Sequence, residues 1–167
     1  MCDKVFILNM RTLFFEVFMK RLIKLLLVIA WMFMIFSFSN QNGEESTSTS
    51  DGVLDRLVSI FVDDEIDENE KEIIIDKYTG FIRKTAHFMI YFILGILVFN
   101  LLLEFKINHI VLITTFICML YAASDEIHQS FIPGRSCEIR DVLIDTSGSF
   151  LSSCLCFLIY KKNIKKV

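Results

Sequence analysis

The sequence predicts an all-α, polytopic membrane protein: a four-transmembrane-helix bundle with a short amphipathic helical extracytoplasmic segment. Three observations predict it. The 167-residue chain is 54% hydrophobic, with a mean hydropathy of +0.55, above the roughly 45–50% apolar content of soluble domains. Its apolar residues come in long blocks, which suits bilayer crossing better than a large soluble core. Its charges are segregated along the chain rather than spread, so the net charge of −3 says little. The length fits one domain. No basic patch carries interleaved aromatics, which excludes a nucleic-acid partner and leaves the lipid bilayer as the first partner.

Residues 1–21 mix apolar side chains with Lys4, Arg11, Glu16, Lys20 and Arg21. This stretch is too polar to span and reads as a cytoplasmic or interfacial N-terminal segment, with Met10 and Met19 as alternative starts. Residues 22–38 form the first span, uninterrupted after Lys24 and carrying Trp31. A signal peptide competes for it, because small Ser37 and Ser39 follow a basic start and an apolar core. The long region ahead of that core, with Glu16 in it, argues against cleavage. Residues 39–51 are a polar turn region rich in serine and threonine. Val53, Leu54, Leu57, Val58 and Phe61 then recur at helical spacing, the amphipathic segment. Residues 63–72 are a run of acids that reads as a solvated face, and the calcium-loop glycine is missing from it.

The second span covers 86–103, led in by Arg83 and Lys84, and a tight turn at 104–108 follows. The third covers 109–123 and continues as helix through Asp125 and Gln129 until Pro133-Gly134 stops it. The fourth covers 142–160, and residues 161–167 are a basic tail. Residues 22–160 therefore form one membrane domain. Lysine and arginine mark the cytoplasmic side, and four spans return the chain to the side it started from. This expectation places a cell-membrane protein with both termini in the cytoplasm and residues 39–85 and 121–145 outside. Arg83, Lys84, Arg135 and Arg140 then lie on the side where cations are scarce, which gives them a local task such as holding an anion.

Residues 121–145 concentrate polar side chains between two apolar blocks. A charge at the bilayer centre costs about 2.5–3.5 kcal/mol on insertion scales and usually faces protein or water. Arg83, His87 and Tyr91 share one helical face; Asp125 and Glu126 each share a face with Gln129; Asp141, Asp145, Gly148 and Ser152 form a third. The three stripes reach the same end of their helices, so packing would bring them into one pocket. Small Gly148, Ser149, Ser152 and Ser153 allow backbones to approach closely there.

Histidines, carboxylates and arginines together suit an anionic ligand held by guanidinium forks, with His87 or His128 as proton donor or acceptor. The expected catalytic set is His87, Asp125 and Glu126. The expected ligand-binding set is Arg83, Lys84, Gln129, Arg135, Arg140, Asp141 and Asp145, with Asp125 and Glu126 orienting the arginines. No metal and no cofactor is expected. No HExxH or CxxC pattern, nucleophile elbow or phosphate-cradling loop appears, and Cys154 and Cys156 are two apart on a helix and point different ways. Whether the chain is an enzyme stays open.

RKTAH at 83–87, SDEIHQSFIPGRS at 124–136 and RDVLIDTSG at 140–148 closely resemble the VanZ-like family of small bacterial membrane proteins, as does SFSNQ at 37–41. The resemblance covers residues 22–160, with Cys137 standing where that pattern has glycine. It implies an association with reduced susceptibility to teicoplanin-type glycopeptide antibiotics. The partner it leads to is an anionic lipid-linked cell-wall intermediate or the lipoglycopeptide itself. A membrane hydrolase or transferase on lipid-linked intermediates, a transporter and a non-catalytic membrane partner protein are the rival readings.

Overall fold

The computed structural model describes residues 2–41, 48, 52, 56, 68–135 and 137–164, with side chains described from residue 14 in the first helix and from residue 78 in the second. The expected amphipathic segment at 53–61 lies outside the described residues except for residue 56, and the acidic run at 63–72 is described only from Glu68 on, as helix. Among the described residues four helices have defined bounds: α1 (Cys2–Ser39), α2 (Glu68–Leu103), α3 (Ile110–Gln129) and α4 (Ile139–Ile164). Each contains a stretch long and apolar enough to cross a membrane: Phe14–Ser39, Tyr78–Leu103, Ile110–Gln129 and Ile139–Ile164. A 26-residue stretch such as Tyr78–Leu103 is about 39 Å long at 1.5 Å per residue, against a hydrocarbon core of about 30 Å. The chain is all-helical across these elements and builds a membrane-type bundle.

All four helices run past the apolar cores visible in the sequence. Residues 2–21 continue α1 without a break, and α2 begins at Glu68. A helix satisfies its own backbone in lipid and in water alike, so hydropathy marks the buried length and not the helix ends.

The outer surface is apolar: Phe33, Leu112, Leu143 and Leu158 are each more than 60% exposed. The interior is unusually polar. Its fully buried side chains include Tyr91, Leu94, Phe99 and Cys118, but also Glu126, Thr114, Asp145, Ser149, Ser152 and Ser153. In lipid this inversion is stable, because close packing and hydrogen bonding hold transmembrane helices together where apolar burial cannot.

The closest crossing is between α2 and α4. A Cβ placed on Gly95 would lie 2.8 Å from the Ser149 Cα, and one on Gly148 would lie 2.4 Å from the Phe88 carbonyl oxygen. Only glycine fits either position. Ser149, Ser152 and Ser153 bond back to the carbonyls of Thr146, Ser149 and Phe150, so their hydroxyls are satisfied at little volume. Helix α1 is tied on by hydrogen bonds from Trp31 Nε1 to the Ile90 carbonyl (3.0 Å) and from Tyr121 Oη to the Met32 carbonyl (2.6 Å). At one end of the bundle Lys24 pairs with Glu104, and Arg21 donates to the Glu104 carbonyl oxygen.

Candidate functional site

The opposite end gathers the polar residues. Ser39 closes α1, Arg83, Lys84 and His87 lie in α2, Asp125, Glu126 and Gln129 in the last turns of α3, and Asp141 and Asp145 in the first turns of α4. The segment joining α3 to α4 folds back over them. After Gln129 the chain tightens through Phe131 N to His128 O and Ile132 N to Gln129 O hydrogen bonds. Gly134 takes φ 76°, a left-handed conformation that glycine adopts without steric cost. Arg135 N then bonds the Ile132 carbonyl at 3.2 Å, which brings the Arg135 side chain back over the helix ends.

A pocket of about 70 Å³ opens there, lined by Arg83, His87, Gln129, Gly134, Arg135, Glu138 and Asp141. A buried water needs roughly 10–15 Å³ on such a measure, so the space suits one small anionic group and not a large molecule.

Three carboxylates are buried in this end of the bundle. Asp125 is 4% exposed, and its Oδ2 accepts hydrogen bonds from Ser39 Oγ (2.7 Å) and Gln129 Nε2 (3.0 Å). Glu126 is 1% exposed and accepts from the Glu138 backbone N–H at 2.9 Å, which pins the start of α4 to the end of α3. Asp145 is fully buried, with His87 Nδ1 3.7 Å from its Oδ1. That distance is an ion-pair contact, too long for a direct hydrogen bond. Lys84 sits 3.3 Å from Asp141 and 3.7 Å from Glu138.

These pairings leave the arginines aside. Among the described residues Arg83 and Arg135 make no ion pair. Burial, and then the neighbouring Arg83 charge, lowers the Arg135 guanidinium from its ordinary value, while Asp125 and Glu126 pull it back. Two guanidiniums at one pocket, neither in contact with a carboxylate, are chemically able to hold an anion.

Most of the expected site converges. His87, Asp125, Glu126, Arg83, Lys84, Gln129, Arg135, Asp141 and Asp145 all lie at this end. Arg140 does not line the pocket and is exposed. Asp125 and Glu126, expected to orient the arginines, are instead held by Ser39, Gln129 and the Glu138 backbone. They sit beneath the pocket, where helix packing places them. Ser39 and Glu138 are members that the reading of polar stripes left out. Ser39 contacts Asp125 across 86 positions of sequence, and the only hint of its role lay in SFSNQ. His128 packs instead on Phe36, ring centroids 4.5 Å apart. Among the described residues no three His, Cys, Asp or Glu side chains are grouped as a metal ion would require.

Once this geometry is set beside known proteins, the family model described as VanZ/LLP1 matches residues 24–160. No curated protein and no solved structure matches the chain.

Proposed function

The chain belongs to the VanZ/LLP1 family, and we propose that it is a membrane protein that lowers susceptibility to teicoplanin-type glycopeptides by capturing an anionic envelope or drug group in the Arg83–Arg135 pocket. The observation that carries this reading is the pair of arginines without carboxylate partners over a small cavity. A charged hydrogen bond contributes about 1.5–3 kcal/mol, a factor of roughly 10–100 in affinity. Loss of either guanidinium should therefore weaken capture by about that factor.

Expression in a susceptible host tests it. Arg83→Ala, Arg135→Ala and His87→Ala should each return teicoplanin susceptibility to that of cells without the protein. If all three variants keep full protection at normal protein levels, the pocket has no part in resistance.

The His87–Asp145 contact favours a second reading, a hydrolase or transferase acting on lipid-linked cell-wall intermediates. A buried carboxylate 3.7 Å from Nδ1 favours a proton on that nitrogen and leaves Nε2 to exchange one with a bound group. Mass spectrometry of extracted lipids would then reveal a product formed by the native chain and missing from His87→Ala. An identical lipid profile in both would sink the enzymatic reading and leave capture standing.

A further inference from the structure

A second cavity, of about 650 Å³, lies at the other end of the bundle, where α2 ends, α3 begins and α4 makes its last turns. That volume falls within the roughly 300–1,000 Å³ of small-molecule sites. Its wall is aliphatic and aromatic, with Leu112 and Phe157 among its members, while Lys106, Asn108, His109 and Tyr160 make its polar part. The membrane-crossing stretch of α2 stops at Leu103 and that of α3 starts at Ile110. Residues 104–109 therefore sit at the level of lipid head groups.

Charge at this end is one-sided. Lys161 and Lys162 lie in the last turn of α4, just beyond Tyr160. The nearby carboxylate, Glu104, is taken by Lys24. Lys106 has no ion pair among the described residues and is exposed. Its backbone and that of His109 take φ 50° and 56°, conformations that non-glycine residues adopt only where the surroundings impose them. The turn is thus fixed in a shape that sets a cation and an imidazole beside an apolar wall.

We propose that this cavity is a binding site for one anionic phospholipid. Its phosphodiester lies at Lys106 and His109, and an acyl chain lies along Leu112 and Phe157. An amphiphile satisfies both halves of the lining, which a free inorganic anion would not. A zwitterionic head group would bring its own cation into a region already rich in lysine. The proposal does not depend on the arginine pocket at the opposite end.

The test uses the full chain reconstituted in phosphatidylcholine vesicles containing a spin-labelled phosphatidylglycerol or, separately, a spin-labelled phosphatidylcholine. The native chain should hold a motionally restricted phosphatidylglycerol population several-fold in excess of phosphatidylcholine. A basic residue near the membrane surface contributes enough attraction for roughly a fivefold preference. Lys106→Asn removes the charge with a residue that tolerates positive φ, and should remove most of that preference. Leu112→Trp, at an exposed position, should crowd the wall and lower the restricted phosphatidylglycerol population, and it decides the question should the asparagine variant not fold. The exposed Arg140→Ala, at the far end, should change neither. Retention of the native preference in Lys106→Asn and Leu112→Trp, or an equal loss in Arg140→Ala, would overturn the proposal.

Discussion

Asp125 shows how a buried carboxyl group is held in this protein. Its Oδ2 takes two donors, Ser39 from α1 and Gln129 from one turn further along α3. Gln129 also donates to Ser39 Oγ at 3.3 Å, closing a small triangle of polar atoms. Deleting one donor costs about 1 kcal/mol, the usual net value of a hydrogen bond and close to that measured between membrane helices. Ser39→Ala should therefore lower the unfolding free energy in detergent by about that amount, and calorimetry or a thermal-shift series can measure it. An unchanged stability would mean that Ser39 contributes nothing to holding α1 on the bundle. The Gln129 part of this triangle was legible in the sequence, because residues four apart share a helical face. The Ser39 part was not, since periodicity along one helix carries no information about which helix lies opposite. The placement of Arg140 outside the pocket lining was illegible for a related reason. A charge beside a motif looks the same in sequence whether it points into the site or away from it, and only the rotation of α4 decides.

At the level of whole helices the α2–α4 crossing governs the site, because it sets His87 of one helix against Asp145 of the other. Gly148 and the serines around it announced a close approach, but their counterpart Gly95 stood unmarked in an apolar block. Gly95→Ala would push a methyl group against the Ser149 backbone, which cannot rotate away as a side chain could. Overpacking of this kind typically costs about 1–3 kcal/mol. Gly95→Ala and Gly148→Ala should each lower thermal stability by that order and, on the proposed function, should weaken antibiotic protection by moving His87 off Asp145. Adding Ser152→Ala to Gly95→Ala should give little rescue, since it clears only a hydroxyl; full recovery would show that the backbone contact is unimportant. The far end carries a milder constraint. Lys24 hydrogen-bonds Glu104 and holds its carboxyl below the ordinary value of 4.5. A lowered folded-state value means a contribution present above the unfolded value and lost as pH falls through the folded one. The melting difference between the native chain and Glu104→Gln should accordingly be small but present at pH 7, and should close in acid below pH 4.5. A gap that persists in acid would assign the contribution of Glu104 to packing.

For the molecule as a whole, four spans were readable because the bilayer imposes a length on every apolar block, and that constraint survives ignorance of all packing. What was not readable was how far each helix continues into water, which is why α1 and α2 outrun their spans. Orientation belongs to the same scale. Lys20, Arg21, Lys24, Lys106, Lys161 and Lys162 cluster at one end of the bundle, whereas the basic residues at the other end share it with Asp125, Glu126, Glu138, Asp141 and Asp145. Lysine and arginine in excess are expected on the cytoplasmic side, and the proposed function accordingly has the arginine pocket outside. Cys137 provides a direct test. It is free and exposed in the segment between α3 and α4, on the pocket side. In a variant with Cys2, Cys118, Cys154 and Cys156 replaced by serine or alanine, a membrane-impermeant maleimide added to intact cells should label Cys137. Labelling that appears only after permeabilisation would place the pocket in the cytoplasm. Capture of an extracellular drug would then be ruled out, and the arginines would have to serve an anion made inside the cell.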